Sequence, residues 1–67
     1  MPRIGFIGIG LMGLPLCQRL LAAGFALTTW NRNAEKCAPL TRAGAHTADS
    51  PADVARASDI VFFCVSD

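Results

Sequence analysis

This sequence has little charge. Six basic and five acidic side chains are spread over 67 residues, for a net charge of +1. No block of like charge occurs and no basic run is interleaved with aromatics, so nothing supports a nucleic-acid groove. Long hydrophobic runs are also missing. The longest, Ile60 to Val65, is six residues, against the roughly 20 that a membrane-spanning helix needs, so no membrane partner is expected. The N-terminus has neither the apolar core and cleavage site of a secretory leader nor the Arg- and Ser-rich look of a transit peptide, and the expected location is cytoplasmic. Cysteine is present but unorganised. Cys17, Cys37 and Cys64 form an odd set with no C-x-x-C spacing, which gives little support to a disulfide framework or a zinc site. Buried thiols in a reducing compartment are the expectation. There is no Walker lysine, no G-x-S-x-G and no paired carboxylate.

What is present is apolar. Hydrophobic residues make up 52% of the chain, too many for a disordered tail. The length allows one small domain and excludes a two-domain enzyme. A chain of this size buries only about 60% of its unfolded surface, and the run Ile60 to Val65 stops two residues before the end. The expectation is a piece of a longer protein.

Strand and helix patterns alternate. Arg3 to Gly8 reads as a first strand with apolar residues on both parities, as in a parallel sheet, and Gly5 within it implies close approach of another element. Leu11 to Ala23 reads as a helix, with Leu14, Cys17, Leu20, Leu21 and Gly24 recurring at steps of three and four and Gly24 as its stop. Pro15 would remove one backbone bond near its start, which requires either a later start or an irregular first turn. Phe25 to Trp30 is a second strand, Ala34 to Ala43 a helix weakened by Pro39 and ended by Gly44, and Ala45 to Ala48 a short third strand. Ser50, Pro51 and Asp53 form a capping-box-like start for a third helix, and Ile60 to Val65 is a fourth, buried strand. The order βαβαβαβ predicts an α/β fold with a parallel sheet. His46, the one histidine, falls in an edge strand far from the glycine-rich turn and reads as solvated or capping.

That turn is Gly8-Ile9-Gly10-Leu11-Met12-Gly13. It matches G-x-G-x-x-G, a weak pattern alone but a stronger one where it leaves a strand and opens a helix. Gly8 permits the tight turn, Gly10 lets a pyrophosphate approach the backbone, and Gly13 lets helix and strand pack closely. The free N–H groups of the first helical turn would face the phosphates. The alternative is a glycine turn that binds nothing. At the tip of the second strand a NAD-preferring fold places a carboxylate for the ribose 2′-hydroxyl. Here Asn31 stands eighteen residues after Gly13, followed by Arg32 and Asn33. A neutral amide removes repulsion against a 2′-phosphate, and Arg32 supplies a planar donor fork suited to it. NADP is therefore the expected cofactor, NAD the lesser one. The alternative makes Arg32 a solvated cation and Asn31 or Asn33 a helix cap, and both asparagine roles can coexist. Ser66 and Asp67 follow the fourth strand, whose carboxyl end lines the ligand crevice of an open α/β sheet. They either touch the cofactor or form an ordinary polar loop.

The run Ile4 to Pro15 closely resembles the N-terminal signature of the β-hydroxyacid dehydrogenase family. That family includes 3-hydroxyisobutyrate dehydrogenases, tartronate semialdehyde (2-hydroxy-3-oxopropionate) reductases, succinic semialdehyde/glyoxylate reductases and, more distantly, 6-phosphogluconate dehydrogenase. Met12 and Pro15 separate this pattern from a generic dinucleotide loop. Trp30-Asn31-Arg32-Asn33 resembles the family's Asn-Arg element in NADP-preferring members, and Lys36-Cys37, Leu40, Gly44-Ala45, Ser50-Pro51 and Val61 to Asp67 continue the likeness. Leu16 and Cys17 stand where the family usually has Met and Ala.

The resemblance implies a half-Rossmann segment of a larger doubly wound domain, with sheet order 3-2-1-4. In it Gly8 to Gly13 cradle the pyrophosphate, Asn31 and Arg32 hold the adenosine ribose and its 2′-phosphate, and Val65 to Asp67 line the path to the nicotinamide. It implies hydride exchange with a small 3-hydroxy acid or semialdehyde, and a homo-oligomer at full length. The family's Ser-Gly-Gly segment, catalytic lysine and helical C-terminal domain have no counterpart in these residues, so no catalytic residue is expected among them. A non-catalytic dinucleotide-binding module and an imine-reductase-like oxidoreductase share this first half and remain alternatives.

Overall fold

The structure, a computed structural model, describes residues 1–64, apart from the side chains of Leu11 and Met12. Strand β1 (Ile4–Ile7) leads into α1 (Gly10–Ala22), then β2 (Leu27–Trp30), a 3₁₀ turn (Ala34–Cys37), α2 (Ala38–Arg42), β3 (His46–Thr47), α3 (Pro51–Ala57) and β4 (Ile60–Phe63). The four strands form one sheet in the order β3-β2-β1-β4. Every pairing is parallel, with Ile4 opposite both Leu27 and Ile60. The sheet order and the alternation of strands and helices are those read from the sequence.

The two faces of the sheet divide the core by strand parity. Ile4, Phe6 and Leu27 join Cys17 of α1 and Leu40 of α2 in one buried cluster. Gly5 faces the other way, where an added Cβ would lie 2.6 Å from Val54 Cγ1 of α3 and would also collide with Ser58 Oγ. The glycine inside β1 is what lets α3 sit that close.

The helix ends follow local chemistry. α1 and α2 close the same way. Phe25 N–H donates to Leu20 O and Gly24 N–H to Leu21 O. One helix later Ala45 N–H donates to Leu40 O and Gly44 N–H to Thr41 O. Each is a Schellman closure, with its glycine where the sequence put it. α3 starts at Ser50, whose Oγ accepts from Asp53 N–H at 3.2 Å, with Pro51 in the first turn. The Asp53 carboxylate does not return to the Ser50 backbone; it holds Arg56 at 2.8 Å.

Four expectations shift. α1 begins earlier, at Gly10, and runs through Pro15 as α-helix. Pro15 has no N–H to donate to Leu11 O, so the one bond it removes leaves a carbonyl of the first turn without its usual donor. The second helix is split into a 3₁₀ turn and an α-helix, because Pro39 is stable only in a helix's first turn and so forces a fresh start. β3 is two residues long, although Ala48 N–H still donates to Thr29 O at 2.8 Å. β4 is not buried: Ile60, Phe62 and Phe63 are 44%, 41% and 72% exposed. It is the edge strand of the described sheet, covered on one side by β1, where Phe62 stacks on Phe6 at 5.2 Å.

The amino ends of β1 and β4 are pinned together. Arg3 donates to Asp59 from its backbone N–H, Nε and guanidinium at 2.8–3.2 Å. Arg3 O accepts from Asp59 and Ile60 N–H. These donors hold the Asp59 carboxyl at about 2, below its ordinary 3.8, chiefly through the Arg3 side-chain bonds.

Candidate functional site

The glycine turn lies at the carboxyl end of the sheet, between β2 and β4. Gly8 N–H donates to Trp30 O at 2.7 Å, and Cys64 N–H donates to Ile7 O at 3.1 Å. Gly8 has φ +85°, and an added Cβ would run into the Cys64 carbonyl. The turn thus needs glycine here for two reasons at once, the left-handed backbone and the neighbouring strand end. At Gly13 an added Cβ would lie 3.1 Å from Cys64 Sγ. The close contact that Gly13 permits is with the residue after β4.

Helix α1 then begins with no capping side chain and no acidic residue in its first turn. The first N–H groups of any α-helix lack intrahelical acceptors. Here they are left for whatever lies in front of the turn, together with the positive end of the helix dipole.

In front of the turn is an open cleft of about 790 Å³. Gly8 forms its floor, Asn31, Arg32 and Asn33 form one wall, and Phe63 and Cys64 form the opposite one. Ile9 and Gly10 face a second, more apolar cleft of about 370 Å³ with Leu14, Pro15 and Pro39. Of the residues read as cofactor contacts, the structure brings Gly8 and Asn31 to Asn33 together in one cleft and places Ile9 and Gly10 at its flank. The backbone of Leu11 and Met12 belongs to α1. Val65, Ser66 and Asp67 lie outside the described residues.

The three residues at the tip of β2 behave differently. Asn31 Oδ1 accepts from Ile9 N–H at 3.0 Å, and Asn31 Nδ2 donates to Asn33 O at 2.9 Å. Asn33 Oδ1 accepts from Glu35 N–H at 3.1 Å, which makes it the cap of the 3₁₀ turn. Arg32 is exposed, and among the described residues it has no hydrogen-bond partner or carboxylate. Lys36 shares that wall and lines both clefts. Sequence reasoning gave Lys36 no role. Its spacing carried no signal, because Arg32 lies before the 3₁₀ turn that holds Lys36 and helical periodicity does not connect the two. Among the described residues the cleft is therefore lined by two cations and no carboxylate.

The surrounding residues add no other chemistry. Among the described residues no group of His, Cys, Asp and Glu could hold a metal ion. Cys17 is fully buried and its thiol is pushed up to about 12, mainly by burial, so it is no nucleophile. Exposed His46 sits on the edge strand and does not line the cleft.

Residues 3–67 match the family described as the NAD binding domain of 6-phosphogluconate dehydrogenase. The chain belongs to that family. It is 49% identical over 65 residues to Cytokine-like nuclear factor N-PAC of Danio rerio, covering 97% of this chain and 14% of that protein. Among solved structures it is similar to the Imine Reductase from Myxococcus stipitatus in complex with NADP⁺, with 41% identity and a TM-score of 0.93 over 98% of this chain and 23% of that one. The V8 variant of the Myxococcus stipitatus imine reductase in complex with NAD⁺ gives 36% and 0.93, covering 100% and 23%. The chain thus spans about a seventh of that curated relative and under a quarter of those solved structures. The fold and the uncapped start of α1 fit a dinucleotide.

Proposed function

We propose that this chain is the NADP(H)-binding segment of an oxidoreductase that exchanges hydride with a small 3-hydroxy acid or semialdehyde. The observation that carries the cofactor choice is the pair Arg32 and Lys36 in a cleft that has no carboxylate among its described lining residues. A 2′-phosphate bears close to two negative charges. A guanidinium with no partner among the described residues, and an ammonium lining the same cleft, would make charge-assisted hydrogen bonds that a 2′-hydroxyl cannot match. The version of the Myxococcus stipitatus enzyme solved with NADP⁺ shares more of this chain than the variant solved with NAD⁺, 41% against 36%. The bound nicotinamide would supply or accept the hydride. These residues hold and orient it: the first turn of α1 takes the pyrophosphate, Asn33 shapes the turn that carries Lys36, and Gly8 keeps the floor free of side chains. The general acid/base belongs to none of them.

A second reading has its own support. The solved neighbours at 34–41% identity include imine reductases and reductive aminases, so the same segment would serve a protein that reduces a C=N bond.

The test is the ratio of kcat/KM for NADPH and NADH in the full protein, assayed with semialdehydes, 3-hydroxy acids and cyclic imines. Wild type should favour NADPH by roughly 10- to 100-fold, about 1.4 kcal/mol per decade. Arg32→Ala should remove most of that preference and Lys36→Ala part of it, both by weakening NADPH. A preference for NADH, or a ratio untouched by Arg32→Ala, would overturn the NADP assignment. Turnover of imines alone would select the second reading.

A further inference from the structure

Asn31 occupies the position where a NAD-binding fold keeps its ribose-binding carboxylate, yet in this structure its carboxamide is directed at the protein. Oδ1 accepts from Ile9 N–H at 3.0 Å and Nδ2 donates to Asn33 O at 2.9 Å. The amide can be oriented only one way, because an N–H requires the oxygen and a carbonyl requires the nitrogen. The bond to Ile9 does something the sheet cannot. Gly8 N–H already points at β2, where Trp30 O accepts it. In a regular strand the next N–H would point to the opposite side. Gly8, at φ +85°, turns the chain so that Ile9 N–H also faces β2, beyond the last backbone carbonyl of the ladder. Ile9 is 2% exposed, so water is a poor substitute. The Asn31 side chain extends the ladder by one rung.

Two consequences follow for a ligand. Ile9 N–H is committed and is no phosphate donor, which leaves that task to the first turn of α1. The same carboxamide also fixes the distance from the glycine turn to Arg32, the next residue along. We infer that Asn31 is a positioning residue: it locks the pyrophosphate turn to the 2′-phosphate tip and does not itself discriminate between the two cofactors. This rests on the dinucleotide reading above.

The experiment measures binding of 5′-ADP and 2′,5′-ADP to the full protein by calorimetry, together with hydrogen exchange at the Ile9 amide. For Asn31→Ala, both nucleotides should weaken by the same factor, roughly tenfold, so that their affinity ratio stays at the wild-type value. Ile9 exchange should accelerate. Asn31→Asp keeps an acceptor for Ile9 N–H, so it should restore slow exchange and most of the 5′-ADP affinity while repelling 2′,5′-ADP. If Asn31→Ala weakened only 2′,5′-ADP, Asn31 would contact the phosphate and the inference would fail with the cofactor reading intact. Unchanged binding or unchanged Ile9 exchange in Asn31→Ala would overturn it as well. If wild type bound neither nucleotide, the dinucleotide reading would fall first and this inference with it.

Discussion

Two helices of this sheet start at its carboxyl edge, and they start in opposite ways. α3 completes itself: Ser50 caps it, Pro51 fills its first turn, and Asp53 sets a negative charge against the positive end of its dipole. α1 has an apolar residue, Ile9, at the cap position and neither a side-chain bond nor an acid in its first turn. The difference is not one of fold, since both helices follow a parallel strand and pack on the same sheet. It is a difference in what is left over. A helix whose donors are all used locally offers nothing to a ligand. One whose first donors have neither a side-chain cap nor an acid beside them keeps them available for an anion.

The largest effect is expected at the turn that leads into α1. Gly8→Ala would force a Cβ into the Cys64 carbonyl on a left-handed backbone. It should cost about 3 kcal/mol and abolish nucleotide binding together with stability, as read by denaturant unfolding. A mutant of near wild-type stability would show that the turn can rearrange without its glycine. Gly13→Ala is milder. Its Cβ would meet Cys64 Sγ at 3.1 Å, for a cost of roughly 1–2 kcal/mol. Combining it with Cys64→Ala should recover most of that, because the two changes share one contact. Purely additive losses would place the strain elsewhere.

Ser50→Ala tests the other helix. Losing the bond to Asp53 N–H should cost about 1 kcal/mol and leave the dissociation constant for NADPH unchanged. Weaker binding in that variant would mean that the two helix starts are coupled and the contrast between them is false. The smallest effect lies at the opposite end of the sheet. Asp59 has its carboxyl held at about 2, below the ordinary 3.8. Its stabilising contribution is therefore complete above about pH 4 and is lost as pH falls through about 2. Both partners are exposed, so the effect is modest. Asp59→Asn should flatten the acid limb of the melting temperature against pH without touching cofactor affinity. An unchanged acid limb would show that the Arg3 bridge contributes nothing in solution.

The topology was legible because each level of the sequence agreed. Strand runs, short loops, Gly24 and Gly44 at helix ends, and Ser50-Pro51 at a helix start all pointed to one parallel sheet. Pro39 was recognised as a weakness, but the resulting split into a 3₁₀ turn and a new helix depended on where Asn33 captured Glu35 N–H. The exposure of β4 was hidden because an apolar run looks the same whether or not its second neighbour is beside it. The glycine pattern revealed the cleft's floor, and Arg32 was visible as a cation at a strand tip. Asn31 was harder. Its residue type suggested a ligand contact, whereas its hydrogen bonds depend on Gly8 turning one N–H out of the sheet. That is a fact of three dimensions with no trace in spacing.

The tie between Arg3 and Asp59 also bears on how the chain assembles. Fifty-six residues separate them, and β1, made before both of its neighbours, pairs on one side with β2 and on the other with β4. At about 5–20 residues per second, roughly 3 to 11 seconds pass between the emergence of Arg3 and that of Asp59. Throughout that interval β1 has an open flank, and Phe6 waits for the ring of Phe62 to stack on it. That edge closes only when β4 pairs with β1.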